Sequence, residues 1–331
     1  MPRTRARVLL AAVVVLAVVA AAYIVYAARR APRPSAGAVD LAGSGQVLFL
    51  QDDKVAAAPL GGGPGARTVS GLTCQRFYAA AGTGVCVVVR PGPVPATYAV
   101  VVDRSLKEVR RVQTAGIPNR ARVSASGRMV SWTVFVTGDS YNRGGFSTWT
   151  GILDTRTGYA VPNMENIQLY LDGRRYRSAD VNYWGVTFAA DDNRFYATVS
   201  TRGRTYLVEG DYGRWRARTL RENAECPSLS PDGTRLVFKK RVAPEGSARP
   251  WRLHVLDLAT GRETPLAEPD SVDDQAAWLD DRTVVYAKGG DLWSVSAAGD
   301  GVPRLLLRHA TSPSVPHGSP REGGVNPDTI S

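Results

Sequence analysis

Histidine and cysteine are the scarcest reactive residues of this 331-residue chain, with three of each. His254 falls inside the strand-like run "WRLHVLDL", while His309 and His317 fall near the end, where structural or solvated roles suit them. No G-x-S-x-G nucleophile elbow is present. There is no C-x-x-C and no Cys/His pair at metal-ligand spacing. "GGGPGA" (61–66) lacks the Lys-Ser/Thr partner and the following helix that a phosphate cradle requires, so it reads as a surface turn. No catalytic set, metal or cofactor is therefore expected, and enzymatic activity is the weaker expectation. Long helical periodicity is missing after residue 45, which excludes a helical bundle.

Acids are missing from residues 1–34, where Arg3, Arg5, Arg7, Arg29, Arg30 and Arg33 supply six of the +11 net charge. The folded part therefore carries only a modest positive excess. Between these arginines, residues 8–28 ("VLLAAVVVLAVVAAAYIVYAA") contain neither charge nor proline. As a helix this run would reach about 31 Å, matching a bilayer core of about 30 Å. Tyr23 and Tyr26 fall near one end, where amphipathic rings favour the interface. The segment reads as a transmembrane anchor after a basic flank (1–7), with a cleaved signal peptide and secretion as the competing reading. The flanking arginines balance, so orientation rests on the habit of first segments, which places the body outside the cytoplasmic membrane.

Residues 29–45 ("RRAPRPSAGAVDLAGSG") read as a linker. The body follows as short runs of Val, Thr, Tyr, Phe and Trp broken by Gly, Asp and Asn, an all-β pattern. One unit recurs. "SLSPDGTRLVF" places Gly233 in a turn and Leu236 at the start of the next strand. "YAAAGTGVCVVV", "VSASGRMVSW", "TFAADDNRFYATV" and "AWLDDRTVVYA" repeat it, so turns fall at 82, 127, 192, 233 and 281, spaced by 45, 65, 41 and 48 residues. A second hairpin follows each, as in "TWTGILDTRTGYAVPN" (148–163) and "WRLHVLDLATGRETPLA" (251–267). Two hairpins per repeat make one four-stranded propeller blade. The expected fold is a six-bladed β-propeller over 46–318, with 309–318 returning to complete the first blade and 319–331 a disordered tail.

"SPDGTRLVFKK" (230–240) followed by "LHVLDLATGRETPLA" (253–267) resembles the repeat of TolB-like β-propellers, and "AWLDDRTVVYAKGGDLWSVSAAGDGVPRLLL" (277–307) is similar. The resemblance implies a propeller that binds or scaffolds. Similar blades occur in a periplasmic scaffold component and ahead of serine peptidase domains. TolB has an α/β domain before its propeller, and residues 29–45 leave no room for one, so a propeller without it is expected. The reading is a non-catalytic binding or scaffolding ectodomain of the cell envelope. The alternative is a hydrolase or lyase acting on a carbohydrate or lactone at the channel mouth.

The 65-residue spacing is about 20 longer than its neighbours. It contains "VTGDSYNRGGFSTW" (136–149) and "VPNMENIQLYLDGRRYRSADVNYWG" (161–185), read as additions to blade three and its junction with blade four. Loops beyond what a fold needs are candidate binding elements, and aromatics with arginine anchor interfaces. The candidates are Asp139, Tyr141, Asn142, Arg143, Arg174, Arg175, Tyr183 and Trp184; an extra strand pair with its aromatics inside is the plainer reading. Repeat symmetry places Asn119, Trp184, Glu225 and Asp273 at one level of the inner strands, at the channel mouth. Arg214, Arg216 and Arg218 alternate onto one strand face, as a solvated outer strand would. An envelope protein or an anionic envelope polymer suits these basic clusters, and export argues against nucleic acid. Cys74 and Cys86 flank a Gly-rich turn, either as a disulfide or as buried thiols.

Overall fold

The computed structural model describes residues 39–61, 66–136, 147–244 and 246–317, with Val13, Leu16 and Val19 of the leading segment, which are helical and exposed. Among the described residues no helix is long and apolar enough to cross a membrane. The rest of the anchor expected over 8–28, and the tail 319–331, lie outside the described residues.

The body is a ring of six antiparallel blades. Blade two runs outward through Arg76–Ala80, Thr83–Arg90, Ala96–Val102 and Glu108–Thr114. Blade three does so through Ile117–Val123, Met129–Val136, Ser147–Asp154 and Ala160–Val161. Blade five comprises Glu225–Leu229, Arg235–Arg241, Trp251–Asp257 and Glu263–Pro265, and blade six Ala277–Asp280, Thr283–Lys288, Asp291–Ser296 and Arg304–Leu307. In blade one the innermost strand is the last in sequence. Thr311–Ser314 pairs with Gln46–Gln51, which continues through Lys54–Pro59 to Thr68–Thr73. This pairing removes the open sheet edges an unclosed array would present.

Blade four differs. Its four ordinary strands, Asn182–Phe188, Arg194–Thr201, Arg204–Asp211 and Arg216–Glu222, are extended by a hairpin, Gln168–Leu171 and Arg174–Tyr176, that docks parallel on the outer strand. The segment 161–185, read as an addition to blade three and its junction with blade four, thus supplies two more strands to blade four. Leu169 and Leu171 explain the docking. They alternate with Gln168 and Tyr170 and are buried against the core between blades three and four.

Strand alternation builds the ring. In "RFYATVST" Phe195, Ala197 and Val199 join Met129 and Ile152 of blade three, while Tyr196 turns the other way to Leu236 and Phe238 of blade five. Each blade therefore buries both faces, and six apolar clusters fill the six junctions between successive blades. The linker expected over 29–45 ends earlier than that. Val39 and Leu41 are buried between blades one and two, because they flank Asp40 at alternate positions and present one apolar side to the ring. In blades three and four an aromatic ring lies over the glycine opposite it in the next strand, Trp132 over Gly151 and Phe195 over Gly210.

The inner strands all run from an upper face, which carries the connections between blades, to a lower rim of tight turns. At Gly127, Asp192 and Gly233 the backbone N–H donates to the carbonyl three residues earlier, at 2.8, 3.2 and 2.9 Å. All three have positive φ, which explains the Gly and Asp of the repeat. Neighbouring turns are tied together. Ser126 Oγ donates to the Asp192 carboxylate at 2.7 Å, and the Asp232 N–H donates to Asp281 Oδ1 at 2.8 Å.

Candidate functional site

Of the channel-mouth residues expected from repeat symmetry, Asn119, Trp184 and Glu225 lie on inner strands and are mostly buried. Asp273 precedes the inner strand of blade six, and its carboxylate is exposed. Asp273 is met there by a residue outside that set. Arg120 of blade three reaches across the axis to blades five and six. Its Nε donates to Cys226 Sγ at 3.4 Å, its Nη1 to the Asn119 carbonyl at 3.0 Å, and Nη2 and Nη1 stand 3.6 and 3.7 Å from Asp273 and Asp274. Lys239, opposite Glu225 in register, bonds Asp273 and lies 4.4 Å over the Trp251 ring. The upper mouth is thus closed by a cross-braced polar layer.

The two acids there respond oppositely. Burial pushes the Glu225 carboxyl above its ordinary range, against the pull of Lys239 and Arg241. Asp273 stays open to solvent on one side; the protein on its other side opposes its charge, but Lys239 and then Arg120 outweigh this and hold its pKa low. Beside Glu225 an open cavity of about 550 Å³ lies between blades four and five, bordered by Arg204, Glu222 and Arg241.

The loop-borne candidates do not converge. Asp139, Tyr141, Asn142 and Arg143 lie outside the described residues. Arg174 and Arg175 are exposed on the outermost strand of blade four, whereas Tyr183 and Trp184 sit on its innermost strand. Five strand spacings of about 4.8 Å put these pairs roughly 24 Å apart, too far for one site. Tyr183 is 1% exposed and packs in the core between blades three and four, so it reaches no surface. Burial pushes its hydroxyl pKa upward.

A broad basic surface covers the side of blade four that faces blade five. Register aligns two rows across the sheet. Tyr196, Glu209, Arg218, Tyr170 and Arg175 form one; Arg194, Asp211, Arg216 and Gln168 form the other. The inner end of these rows is covered, since Tyr196 packs against Leu236 and Phe238. The outer end projects past blade five, whose outer strand Glu263–Pro265 has only 3 residues. The result is an open depression of about 610 Å³ lined by Arg194, Arg214, Arg216, Arg218, Tyr170 and the acids between them. Arg218 pairs with Glu209 at 2.9 Å and Arg214 with Asp211 at 3.5 Å. The Arg214 N–H is the chief cause of a lowered Asp211 pKa. Among the described residues Arg175, Arg194 and Arg216 form no ion pair. Arg214 and Trp215 belong to the preceding turn rather than the strand, with Trp215 at φ 50°.

Cys74 and Cys86 are joined by a disulfide, with S–S 2.09 Å, at the inner end of blade two; Cys226 is a buried thiol. Neither arginine of the inner strand "IPNRARV" was singled out by sequence. The signal was available: Arg120 and Arg122 alternate on a strand whose neighbours are buried, so both point one way, toward the axis.

No protein-family model matches this chain, and no curated protein sequence matches it. Solved structures do. TolB from Acinetobacter baumannii aligns at a TM-score of 0.58 and 17% identity, over 82% of this chain and 66% of TolB. A chain of the nidogen/laminin complex aligns at 0.56 and 12% identity, over 82% of this chain and 98% of that one. At such identities the likeness is one of fold, a TolB-like six-bladed propeller.

Proposed function

We propose that this chain is a non-catalytic binding and scaffolding module of the cell envelope, which holds an anionic polymer on the projecting side of blade four. The observation that carries this is the Arg/Tyr shelf. Its cations are exposed, repeat across adjacent strands, and exceed the acids that pair with them. Each exposed charge pair is worth only about 0–1 kcal/mol, so retention needs a ligand that repeats its charge. The Cys74–Cys86 disulfide supports an extracytoplasmic body, since such bonds persist in oxidising compartments. The uncharged run 8–28 supports anchoring in the cytoplasmic membrane. The fold-level likeness to TolB and to a chain of the nidogen/laminin complex supports a scaffold role.

Poly-L-glutamate immobilised on a biosensor tests the shelf. Capture should be strong at low salt and fall at high salt, as screening predicts. The triple reversal Arg175→Glu, Arg216→Glu, Arg218→Glu should weaken capture about tenfold or more. A control reversal of Arg249 and Arg308, which are exposed elsewhere, should change it little. Equal losses in both variants would refute a dedicated shelf.

A hydrolase or lyase acting on a carbohydrate or lactone is the second reading. The observation behind it is the opposite displacement of the Glu225 and Asp273 pKa values at the upper mouth. In that reading Glu225→Gln abolishes turnover; in the binding reading it leaves polymer capture unchanged.

A further inference from the structure

Below the layer braced by Arg120, the channel widens again into a chamber of about 120 Å³ near the lower rim. Blades two to six line it, from Tyr78 of blade two round to Trp278 of blade six, and Val315 and His317, just after the closing strand of blade one, complete the wall. Its walls are largely apolar: Ala80, Val123, Phe188 and Val315. One full charge projects into this setting. Arg122 is 4% exposed, and its guanidinium lies 4.3 Å over the Tyr78 ring.

Arg122 is poorly matched by the protein. A guanidinium carries five N–H donors. Among the described residues it makes one hydrogen bond, from Nη2 to the Ala276 carbonyl at 3.1 Å, and its buried Nε has no partner. No carboxylate among the described residues stands within ion-pair distance of it. Asp273 and Asp274 are both committed to Arg120. Asp232, which lines the rim of the chamber, is engaged by Ser230, Thr234 and Arg235. The orphaned Nε is sealed from solvent, so no water satisfies it, and burying an uncompensated ion is costly. The ring face of Tyr78 compensates only in part.

We propose that the chamber is a binding site for a small aliphatic carboxylate, held through the Arg122 guanidinium with its alkyl end against the alanine and valine walls. The chemistry fits. A carboxylate matches the fork geometry of arginine and supplies the missing negative charge. The volume equals about four waters at roughly 30 Å³ each, which suits an acid of two to four carbons and excludes an aromatic one. Thr187 Oγ1 accepts from the Leu229 N–H at 3.2 Å, which leaves its own hydrogen free to donate into the chamber. His317 also lines the chamber, at its exposed end.

The test uses sodium propionate against sodium chloride at matched ionic strength, read by thermal unfolding. Propionate should raise the Tm of the wild-type chain by several degrees over chloride, and benzoate should not. Arg122→Met should abolish the propionate response while folding at least as stably in chloride, since it removes the unpaired charge and keeps the volume. No propionate response in the wild type, an equal response to benzoate, or a response that survives in Arg122→Met would each overturn the proposal. If Arg122→Met fails to fold, a crystal of the wild type soaked in propionate decides. A carboxylate on Arg122 supports the site, and water alone refutes it.

Discussion

Asp154→Asn should destabilise the propeller by about 2 kcal/mol at pH 7. Asp154 ends the third strand of blade three with its side chain 3% exposed. It accepts from Arg128 Nε at 3.0 Å and Nη2 at 2.6 Å, and from the backbone N–H of Arg156 at 3.0 Å. Asparagine keeps one acceptor for the turn, but loses the charge and turns the oxygen that accepts from Arg128 Nη2 into a donor. Arg128 is the leading cause of a carboxyl pKa lowered from 3.8 to about 2. A shift of nearly two units is worth about 2 kcal/mol. Because the folded pKa is the depressed one, this stability is complete above the unfolded value, near pH 4. It is lost as the pH falls through the folded value. The difference between wild type and Asp154→Asn should therefore be about 2 kcal/mol at pH 7, roughly half that at pH 3, and small at pH 2. Urea unfolding across this range, with the m-value checked for constancy, measures it. A difference that stays level from pH 7 to pH 3, or is absent at pH 7, would refute the assignment of the stabilisation to the charged pair.

The remaining predictions concern the channel and the blade cores. Glu225 shows the reverse sign: its folded pKa is raised, chiefly by burial, so its ionisation costs stability as the pH rises above the ordinary carboxyl range. Glu225→Gln should leave the propeller as stable as the wild type or more so at pH 7, with the advantage gone at pH 4. Matched urea curves check it, and a large loss at pH 7 would show that the carboxylate is a structural counter-ion of Lys239. Gly151→Ala would place a methyl carbon 2.3 Å from Trp132 Cζ2, in a core with no room to yield. It should cost about 1–3 kcal/mol, read as a lower Tm with a red shift of tryptophan emission.

The all-β class and the repeated hairpins were legible because alternation and turn chemistry are local. "SPDGTRLVF" carries its own turn, with the Gly233 N–H closing on the Ser230 carbonyl at 2.9 Å. Ring closure adds the return strand within 309–318: the first blade lacks one strand in sequence order, and Thr311–Ser314 pairs with it. The linker boundary is not legible locally, because Val39 and Leu41 are buried only once blades one and two exist to cover them. The insertion shows the limit of local reading more sharply. Its two strands were foreseen as the plainer of two readings, but the sheet they joined was not. A strand's partner depends on which edge stands open nearby, and here that edge is Arg216–Glu222, 48 residues downstream in register.

Sequence alone therefore determined the unit of construction, the number of times it recurs, the uncharged leading segment and the pool of basic residues. Tertiary structure decided which of those residues meet. It sent Tyr183 into a core, separated Arg175 from Trp184 by the width of a blade, and lined up Arg218, Tyr170 and Arg175 across three strands. It also brought Arg120 to Asp273 and Arg122 to the Ala276 carbonyl, pairs more than 150 residues apart in sequence. The physical reason is ring closure. Side-chain direction along a strand is set by its neighbours in sequence, but what a side chain meets at the axis is set by all six blades at once.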